Sequence, residues 1–598
     1  MITDRVARNS SALTIPIAPS EAQIQERLAA ARARLETTAG HGSKSSSHFK
    51  RPEERPFTRA ERGRTTILFG GLTWKHEKLI HGAWEGLGYK CEVIPTPDVR
   101  AFQLGKEYGN NGQCNPTYFT VGNLVQYLQH KRDVEGMSLD EILDNYLFLT
   151  AGACGPCRFG MYEAEYRLAL RNSGFDGFRV QLFQQSGGLS QTEAAAGLEM
   201  NLDFFLGMLN AMMMGDLVNE LAYQIRPFEI EPGQTDRVLD ESMDYLHDVM
   251  KNRRNPGIEG KVDSFLSKVG AAATAETLLK FVDQLRTTYY TDALSEVRRR
   301  FESIPVDYTR CKPIVKITGE FWAQTTEGDG NFKMFPFLQN EGAEVLVEPI
   351  ATWINYMVHQ ARQKIRDRRG LEEGATGAPL WRLDRKLRQE VNWRQRIRKL
   401  DLVEVIFRRE YDRMREALGG TCHALADQPE LTRAGHPFYN SRAGGGEGHL
   451  EVAKAIYYTN HELAHMVLSV KPFGCMPSTQ SDGAQSAVIS SFKDLIYLPI
   501  ETSGEGEINA HSRVQMALGE AKFKAKDEYA RALAAIGLTL QEIQDYVAHH
   551  PELRNPLQHV PKHKGYIGKG ANFLLHVGSR ILQERGVASP VAELATSH

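Results

Sequence analysis

The alternation of short β-rich runs with helical stretches constrains the fold of this chain more than any other sequence feature. One cycle runs from NYLFLTAGA (145–153) through a helical stretch to FRVQLFQQSGG (178–188). A second begins at PIVKITGEFW (313–322) and continues to VLSVKP (467–472) and LIYLPI (495–500). Strands that alternate with helices pair in parallel through crossover connections. The sequence therefore predicts an α/β protein with two parallel-sheet units.

Changes in composition along the chain predict five parts. They are an N-terminal extension (1–62) that we expect to be partly mobile, a first sheet domain (63–200), a helical region (201–310), a second sheet domain (311–530) with an Arg-rich insertion (361–418), and a helical tail (531–598).

The overall composition excludes several classes of protein. Of the 598 residues, 41% are hydrophobic and 24% charged, which is ordinary for a globular chain, and a net charge of -2 gives no general attraction to nucleic acid or membranes. The N-terminus lacks the apolar core of a secretory signal, and no stretch approaches the ~20 apolar residues of a membrane span. We therefore expect a cytoplasmic protein, in which cysteine clusters indicate metal binding or catalysis more often than disulfides.

Four of the seven cysteines fall in loops at the ends of predicted elements. Cys154 and Cys157 follow one predicted strand, Cys475 follows another, and Cys114 lies in YGNNGQCNPTYF, just before a helix. Ligands of open α/β sheets bind beyond the carboxyl ends of strands, and soft thiolates select iron–sulfur clusters or zinc. The four thiols are candidate metal ligands. Cys91 and Cys422 lack such contexts, and Cys311, just before a strand, is expected to pack.

Two other interpretations of these cysteines stay open. Cys154-Gly-Pro-Cys157 is also the redox tetrapeptide of thioredoxin, but Ala153 precedes it where an aromatic residue is wanted, and no proline follows until Pro227. A structural zinc site is the other alternative. Structural zinc ligands usually come as two close pairs, whereas these are scattered over two domains, which suits a cluster in an interdomain cleft better.

The segment His461-Glu-Leu-Ala-His465 matches the zincin pattern HExxH. On a helix the two histidines would share a face and could bind zinc. The following residues supply no third ligand, so we expect a chance match with both histidines surface-exposed or hydrogen-bonded. A zinc metalloprotease remains a minor alternative.

Four segments carry a resemblance to a known family: GKEYGNNGQCNPTYFTVGNLVQYL, LTAGACGPCRFGMYEAEYRLAL, IVKITGEFW and VKPFGCMPSTQ. Together they resemble the 2-hydroxyacyl-CoA dehydratase superfamily. Within it, the chain resembles the dehydratase-like part of the large "activator of 2-hydroxyglutaryl-CoA dehydratase" proteins. The similarity runs from about Thr66 to about Leu518 and is most specific in GPCRFG and PFGCMPS.

The resemblance implies two Rossmann-like domains that flank a [4Fe-4S] cluster. The matching cysteines are Cys114, Cys154, Cys157 and Cys475. In the dehydratases three cysteines hold the cluster and a fourth iron site can meet substrate, so whether all four bind iron here stays open. Four cysteines in good motifs argue against a double cubane built from one chain.

The resemblance also implies a partner, an ATPase of the actin/sugar-kinase fold that carries its own cluster. The glycine-containing segments GGLTWKHE, GGGEG and GKGAN lack the spacing of a phosphate-binding loop. The ATPase is therefore expected to be a separate protein, or absent.

By resemblance, the expected activity is one-electron reductive or dehydratase chemistry on an acyl-CoA thioester. The alternative is an electron-relay or accessory iron–sulfur protein without its own substrate. Arg158 and Lys471 are candidates to tune the charge near the cluster, or else solvent-exposed cations, and Glu505 and Glu507 are proton-donor candidates for which loop solvation is the simpler account. The Arg-rich insertion could meet CoA phosphates, an acidic partner or nucleic acid, but mixed-sign runs more often form solvated helix faces.

Overall fold

The computed structural model describes residues 25–26, 29–30, 55–152, 157–184, 197–253, 272–369, 383–444 and 446–587. The chain divides into two units, Met1–Arg55 and Pro56–His598, and both sheets belong to the second. The predicted N-terminal extension lies almost wholly outside the described residues. Among the described helices, none has the length and apolar character needed to cross a membrane.

Eight strands form two four-stranded sheets in the described part of the chain. They are β1 (Thr66–Phe69), β2 (Lys90–Val93), β3 (Tyr146–Gly152), β4 (Arg179–Gln184), β5 (Ile314–Gly319), β6 (Glu344–Leu346), β7 (Met466–Pro472) and β8 (Tyr497–Thr502). The first sheet has the order β2-β1-β3-β4 and the second the order β6-β5-β7-β8. All pairs are parallel. The predicted α/β architecture with two parallel sheets is confirmed.

The central strands are buried along their whole length because helices cover both faces of each sheet. Every residue of β1 and every residue of β7 is buried. Parallel strands covered on both faces carry mostly apolar runs rather than alternation. This burial explains why TILF and VLSVKP can be recognised as strands from sequence.

Helices surround and connect the sheets. We call each sheet with the helices around it a lobe. The helices of the first lobe are α1 (Trp74–Gly86), α2 (Val99–Tyr108), α3 (Asn115–Asp133), α4 (Leu139–Asn145) and α5 (Tyr162–Asn172). The middle region contains α6 (Leu202–Ile225), α7 (Gln234–Asn252), α8 (Ala272–Arg286) and α9 (Tyr289–Glu302). The remainder are α10 (Phe321–Thr325), α11 (Met334–Asn340), α12 (Ile350–Asp367), α13 (Leu383–Ala417), α14 (Gln428–Gly435), α15 (Gly448–Asn460), α16 (Met476–Ser491), α17 (Glu507–Ile536), α18 (Leu540–His549) and α19 (Lys569–Glu584).

One buried carboxylate on α6 connects the two lobes. Asp216 accepts hydrogen bonds from the backbone amides of Ile350 (2.7 Å) and Ala351 (2.8 Å), at the start of α12. Its Oδ1 also lies 3.0 Å from Nε2 of His76 on α1. Free amides and the helix dipole stabilise an anion at a helix N-terminus. The middle helix therefore holds both lobes through one ionic centre.

Candidate functional site

The candidate site lies where the strand order of each sheet reverses. In sheets of this kind ligands bind beyond the carboxyl ends of the two strands on either side of the reversal. Those strands are β1 and β3 in the first sheet and β5 and β7 in the second. Cys157 follows β3, Glu320 follows β5 directly, and Cys475 lies three residues beyond the end of β7.

Two of the predicted cysteines occupy the same position in their local structure. Cys114 is the N-cap of α3, Cys475 is the N-cap of α16, and in each case a proline follows two residues later, at 116 and 477. Proline is tolerated in the first helical turn because its missing amide donor has no helical partner there. Both thiols therefore lie at the positive end of a helix dipole, which stabilises negative charge on sulfur.

The start of α16 lies closer to Cys475 than its predicted place in a loop suggests. The helix begins at Met476, the residue directly after Cys475. Because Pro477 is compatible with the first turn, it starts the helix rather than preventing it.

The cysteine-bearing segments of the two lobes contact each other directly. The backbone amide of Asn115 donates to the carbonyl of Phe473 (3.1 Å), and Nη1 of Arg158 donates to the carbonyl of Gly474 (2.6 Å). A Cβ placed on Gly474 would lie only 3.3 Å from Cα of Cys114. Thus the loop before Cys475 packs on the residues next to Cys114 and Cys157. Cys154, the fourth predicted ligand, lies outside the described residues.

The thiols are enclosed by protein. Cys114 and Cys475 are 6% and 7% exposed, and Cys157 is half-buried. Sγ of Cys114 lies 3.2 Å from Oγ1 of Thr117 and 3.3 Å from the hydroxyl of Tyr162. Burial raises the pKa of Cys157 to about 12 and raises the pKa of Cys475 as well. Without a bound cation the thiols of Cys157 and Cys475 stay protonated at neutral pH, so metal binding must displace their protons.

Three buried carboxyl groups surround the thiols, and sequence analysis did not identify them. They are Glu320, after β5, and Glu447 and Glu451, at the start of α15. Burial raises the pKa values of Glu320 and Glu447 above the usual range, and repulsion from neighbouring carboxyls adds to it. Their charges act on Cys157 and Cys475. The site therefore combines soft ligands with two acids, Glu320 and Glu447, that keep their protons unusually well.

Glu451 has a structural role within this group. It accepts from Ser478 Oγ (2.7 Å) and from Ser481, and Nζ of Lys471 lies 3.5 Å away. Lys471 is 3% exposed, so the solvent-exposed alternative for this residue is wrong. The ionic cluster fixes the end of β7 against α16, and with it the position of Cys475.

Glu320 and Glu447 differ from Glu451 in their partners. Glu320 caps α10 by accepting from the amide of Ala323 (2.9 Å). The carboxyl of Glu447 accepts from its own backbone amide. Glu320 could have been identified as a site residue from its position directly after a predicted strand. Glu447 lies in a glycine-rich stretch, and nothing in the local sequence marks it as a site residue. These two carboxyls are the candidate proton donors of the site.

The described cysteines do not belong to a compact group of metal-ligand atoms. Within the part of the chain that the structure describes, the one group of three or more potential ligands with donor atoms within 4.8 Å of one another contains no cysteine. A zinc ion holds all its thiolates at about 2.3 Å and so brings them close together. In a cubane each thiolate binds a different iron, so the ligand sulfurs are farther apart.

The HExxH match is not a metal site. The helix expected to carry it ends at Asn460, and Glu462 has a φ of +50°, so the segment turns. His461 contacts Glu430 (2.7 Å), whereas the buried His465 accepts from the amide of Ile314 (2.9 Å). The two rings have different partners, in line with a chance match of hydrogen-bonded histidines.

Other predicted candidates lie away from the thiols or are exposed. Glu505 and Glu507 are exposed, in line with loop solvation. Cys311 is exposed, so the expectation that it packs is wrong. In the Arg-rich insertion several guanidinium groups pair with nearby carboxylates, for example Arg362 with Glu404 (2.6 Å). This pattern favours a mixed-charge helix face.

The chain matches no protein-family model, no curated protein and no solved structure.

Proposed function

We propose that this chain is an iron–sulfur protein of the 2-hydroxyacyl-CoA dehydratase type, with Cys114, Cys154, Cys157 and Cys475 holding a [4Fe-4S] cluster between two Rossmann-like domains. The observation that carries the proposal is the direct contact between the cysteine segments of the two lobes, through Asn115 to Phe473 and Arg158 to Gly474. The shared 2-1-3-4 strand order of the two sheets is compatible with a Rossmann-like arrangement.

The residues present fit such a cluster. Three thiols from two lobes lie at the starts of helical segments, beyond the strand ends where sheets of this type bind ligands. The backbone amides of Phe159 and Ser478 hydrogen-bond the sulfurs of Cys157 and Cys475, and burial excludes water. Hydrogen bonds to sulfur and low solvent exposure both affect the reduction potential of a cluster. A bound cluster would supply one electron at low potential to an acyl-CoA thioester.

The protein's part in the reaction is to move protons. Dehydration of a 2-hydroxyacyl thioester removes the hydroxyl from C2 and a hydrogen from C3, and the hydroxyl leaves as water only if it gains a proton. Glu447 and Glu320 hold protons near neutral pH because burial disfavours their charged forms. A carboxylic acid in that state is a suitable donor to the leaving hydroxyl, and its carboxylate can then take the proton from C3.

An electron relay is the alternative, and a cleft that admits a CoA arm beside the cysteines would favour the enzyme. The thiols of Cys114 and Cys475 are more than 90% covered by protein, which would shield a bound cluster from water. The electron would come from a separate ATPase with its own cluster, in a reducing compartment such as the cytoplasm.

The function is tested by reducing the anaerobic protein with a low-potential reductant and adding a 2-hydroxyacyl-CoA. We expect the enoyl-CoA to form only with the reduced protein, and in excess of the electrons supplied, because dehydration consumes no electron overall. Free CoA and the thioether analogue, which lacks the carbonyl, are the controls and should not react. No enoyl-CoA from any 2-hydroxyacyl-CoA tested would favour the relay.

Glu447→Gln is expected to reduce the pH dependence of stability. A carboxyl whose pKa is raised on folding binds more protons in the native state, so the free energy of unfolding falls as the pH rises from the ordinary carboxyl pKa through the raised one. The neutral amide removes this loss, on the order of 1–3 kcal/mol. Denaturant unfolding at about pH 5 and about pH 8 measures it.

The matched control for this substitution is Glu505→Gln, at an exposed position. It should leave the pH dependence unchanged. An unaltered slope in Glu447→Gln would show that Glu447 does not carry the raised pKa. Glu447→Gln should also lower the dehydration rate about 10²- to 10⁴-fold if the residue donates the proton.

A further inference from the structure

A second cluster of possible metal ligands lies outside the proposed four-cysteine site, between α1 and α7. His81 and Glu85 are four residues apart on α1, so they share a face, and His247 faces them from α7. The helices approach closely because α1 carries glycine at 82 and 86: a Cβ at either position would lie 2.5 Å from a carbonyl oxygen of α7. This contact brings the three side chains together.

The distances between the three donor atoms match one tetrahedral ion. Nδ1 of His81 lies 3.0 Å from Nε2 of His247 and 3.7 Å from Oε2 of Glu85, and that oxygen lies 3.3 Å from Nε2 of His247. Zinc bonds to nitrogen and oxygen of about 2.0–2.1 Å give tetrahedral edges of about 3.3 Å. The observed distances bracket that value.

The other nitrogen of each ring is already engaged as a donor. Nε2 of His81 lies 3.1 Å from the carbonyl oxygen of Cys91, and Nδ1 of His247 lies 3.4 Å from Oδ1 of Asp248. In neutral rings these acceptors favour a proton on those nitrogens. Nδ1 of His81 and Nε2 of His247, which lie 3.0 Å apart, are then the two nitrogens able to bind a cation.

We propose that His81, Glu85 and His247 bind a divalent first-row cation, best matched by Zn²⁺, that crosslinks α1 to α7. Two imidazoles and one carboxylate are a common ligand set for zinc, with water in the fourth position. The acceptors on Cys91 and Asp248 orient the rings, as outer partners of metal-bound histidines do. Desolvation lowers the pKa of His81, which favours the neutral, ligating form.

Lys251 competes with the cation for the same carboxylate. Its Nζ lies 3.2 Å from Oε2 of Glu85. Metal binding must displace this ammonium group, so the site should bind more tightly when the ammonium is removed. Removing the ammonium group should raise the metal affinity, whereas removing a ligand should lower it. This difference distinguishes a metal site from a network of hydrogen bonds.

The test uses the full-length chain after chelator treatment, titrated with Zn²⁺ by calorimetry and with Co²⁺ by absorption. We expect one site whose Co²⁺ spectrum shows d–d bands without a thiolate charge-transfer band. His247→Gln and Glu85→Gln should weaken it about 100-fold or more, and Lys251→Met should tighten it. His130→Gln, at an exposed histidine 3.8 Å from Glu135, is the control and should change nothing.

The proposal is overturned if the wild-type chain binds neither ion at this stoichiometry, or if His247→Gln and Lys251→Met bind like wild type. If one variant fails to fold, the other still decides. Zn²⁺ should also raise the melting temperature of the wild type but not of Glu85→Gln. Iron and sulfide contents should be the same in all these variants, so this site and the cysteine site are tested separately.

Discussion

Cys475→Ser is expected to abolish assembly of the iron–sulfur cluster while the chain still folds. The thiol is 7% exposed at the N-cap of α16, a position where serine is a preferred residue, so the helix start should persist. The hydroxyl is a harder and far less acidic ligand than a thiol, and iron–sulfur sites select thiolates. Iron and sulfide should fall at least about tenfold, measured on anaerobically purified protein.

Cys311→Ser is the matched control, because Cys311 is exposed and lies outside the four motifs. It should retain full iron and sulfide. Cys114→Ser and Cys157→Ser extend the test to the first lobe. A variant that keeps its cluster but shows a changed paramagnetic resonance spectrum would identify the position that does not bind iron. Wild-type iron content in Cys475→Ser would remove the second lobe from the site.

Glu348→Gln is expected to destabilise the second lobe by about 3–5 kcal/mol. The carboxylate of Glu348 lies 2.6 Å from Nζ of Lys316 and 2.9 Å from Nζ of Lys454, and all three side chains are almost fully buried. Burial raises the pKa of Glu348, but the two ammonium groups outweigh this and hold it below its usual value. The amide leaves two buried ammonium groups without a counter-ion.

Denaturant unfolding measures this effect as a lower midpoint at unchanged slope. Glu341→Gln is the control: its carboxylate lies 3.4 Å from Lys522 at a partly exposed position and should contribute less than about 1 kcal/mol. Equal effects of the two substitutions would show that the buried lysines are already neutral. Burial does lower the pKa of Lys316, so the outcome also measures its charge state.

The sheets could be predicted from sequence because the signal is local. The strand predicted from VLSVKP is buried at every position, and the glycine shortly after it marks its end. The C-terminal end of α15 and the start of α16 were harder to predict. The helical pattern of the sequence continues through HELAH although the chain turns at Glu462, and Pro477 suggests a loop although it is compatible with a first helical turn.

The site was predictable only in part, for a physical reason. Cysteines beyond strand ends can be expected to approach one another because parallel strands end at one edge of a sheet. The raised pKa of Glu447 comes from burial by segments distant in the chain, and no local sequence pattern encodes it. His81 and His247 likewise meet only because two helices pack closely at glycines, which tertiary structure alone reveals.

The most direct test of the central claim is iron and acid-labile sulfide analysis of the anaerobically purified chain, with its absorption spectrum. The account predicts about four irons and four sulfides per chain and a broad band at about 400 nm. A zinc ion at His81 and His247 would not alter this result. Protein without sulfide, with its thiols free or bound to zinc, would contradict the account.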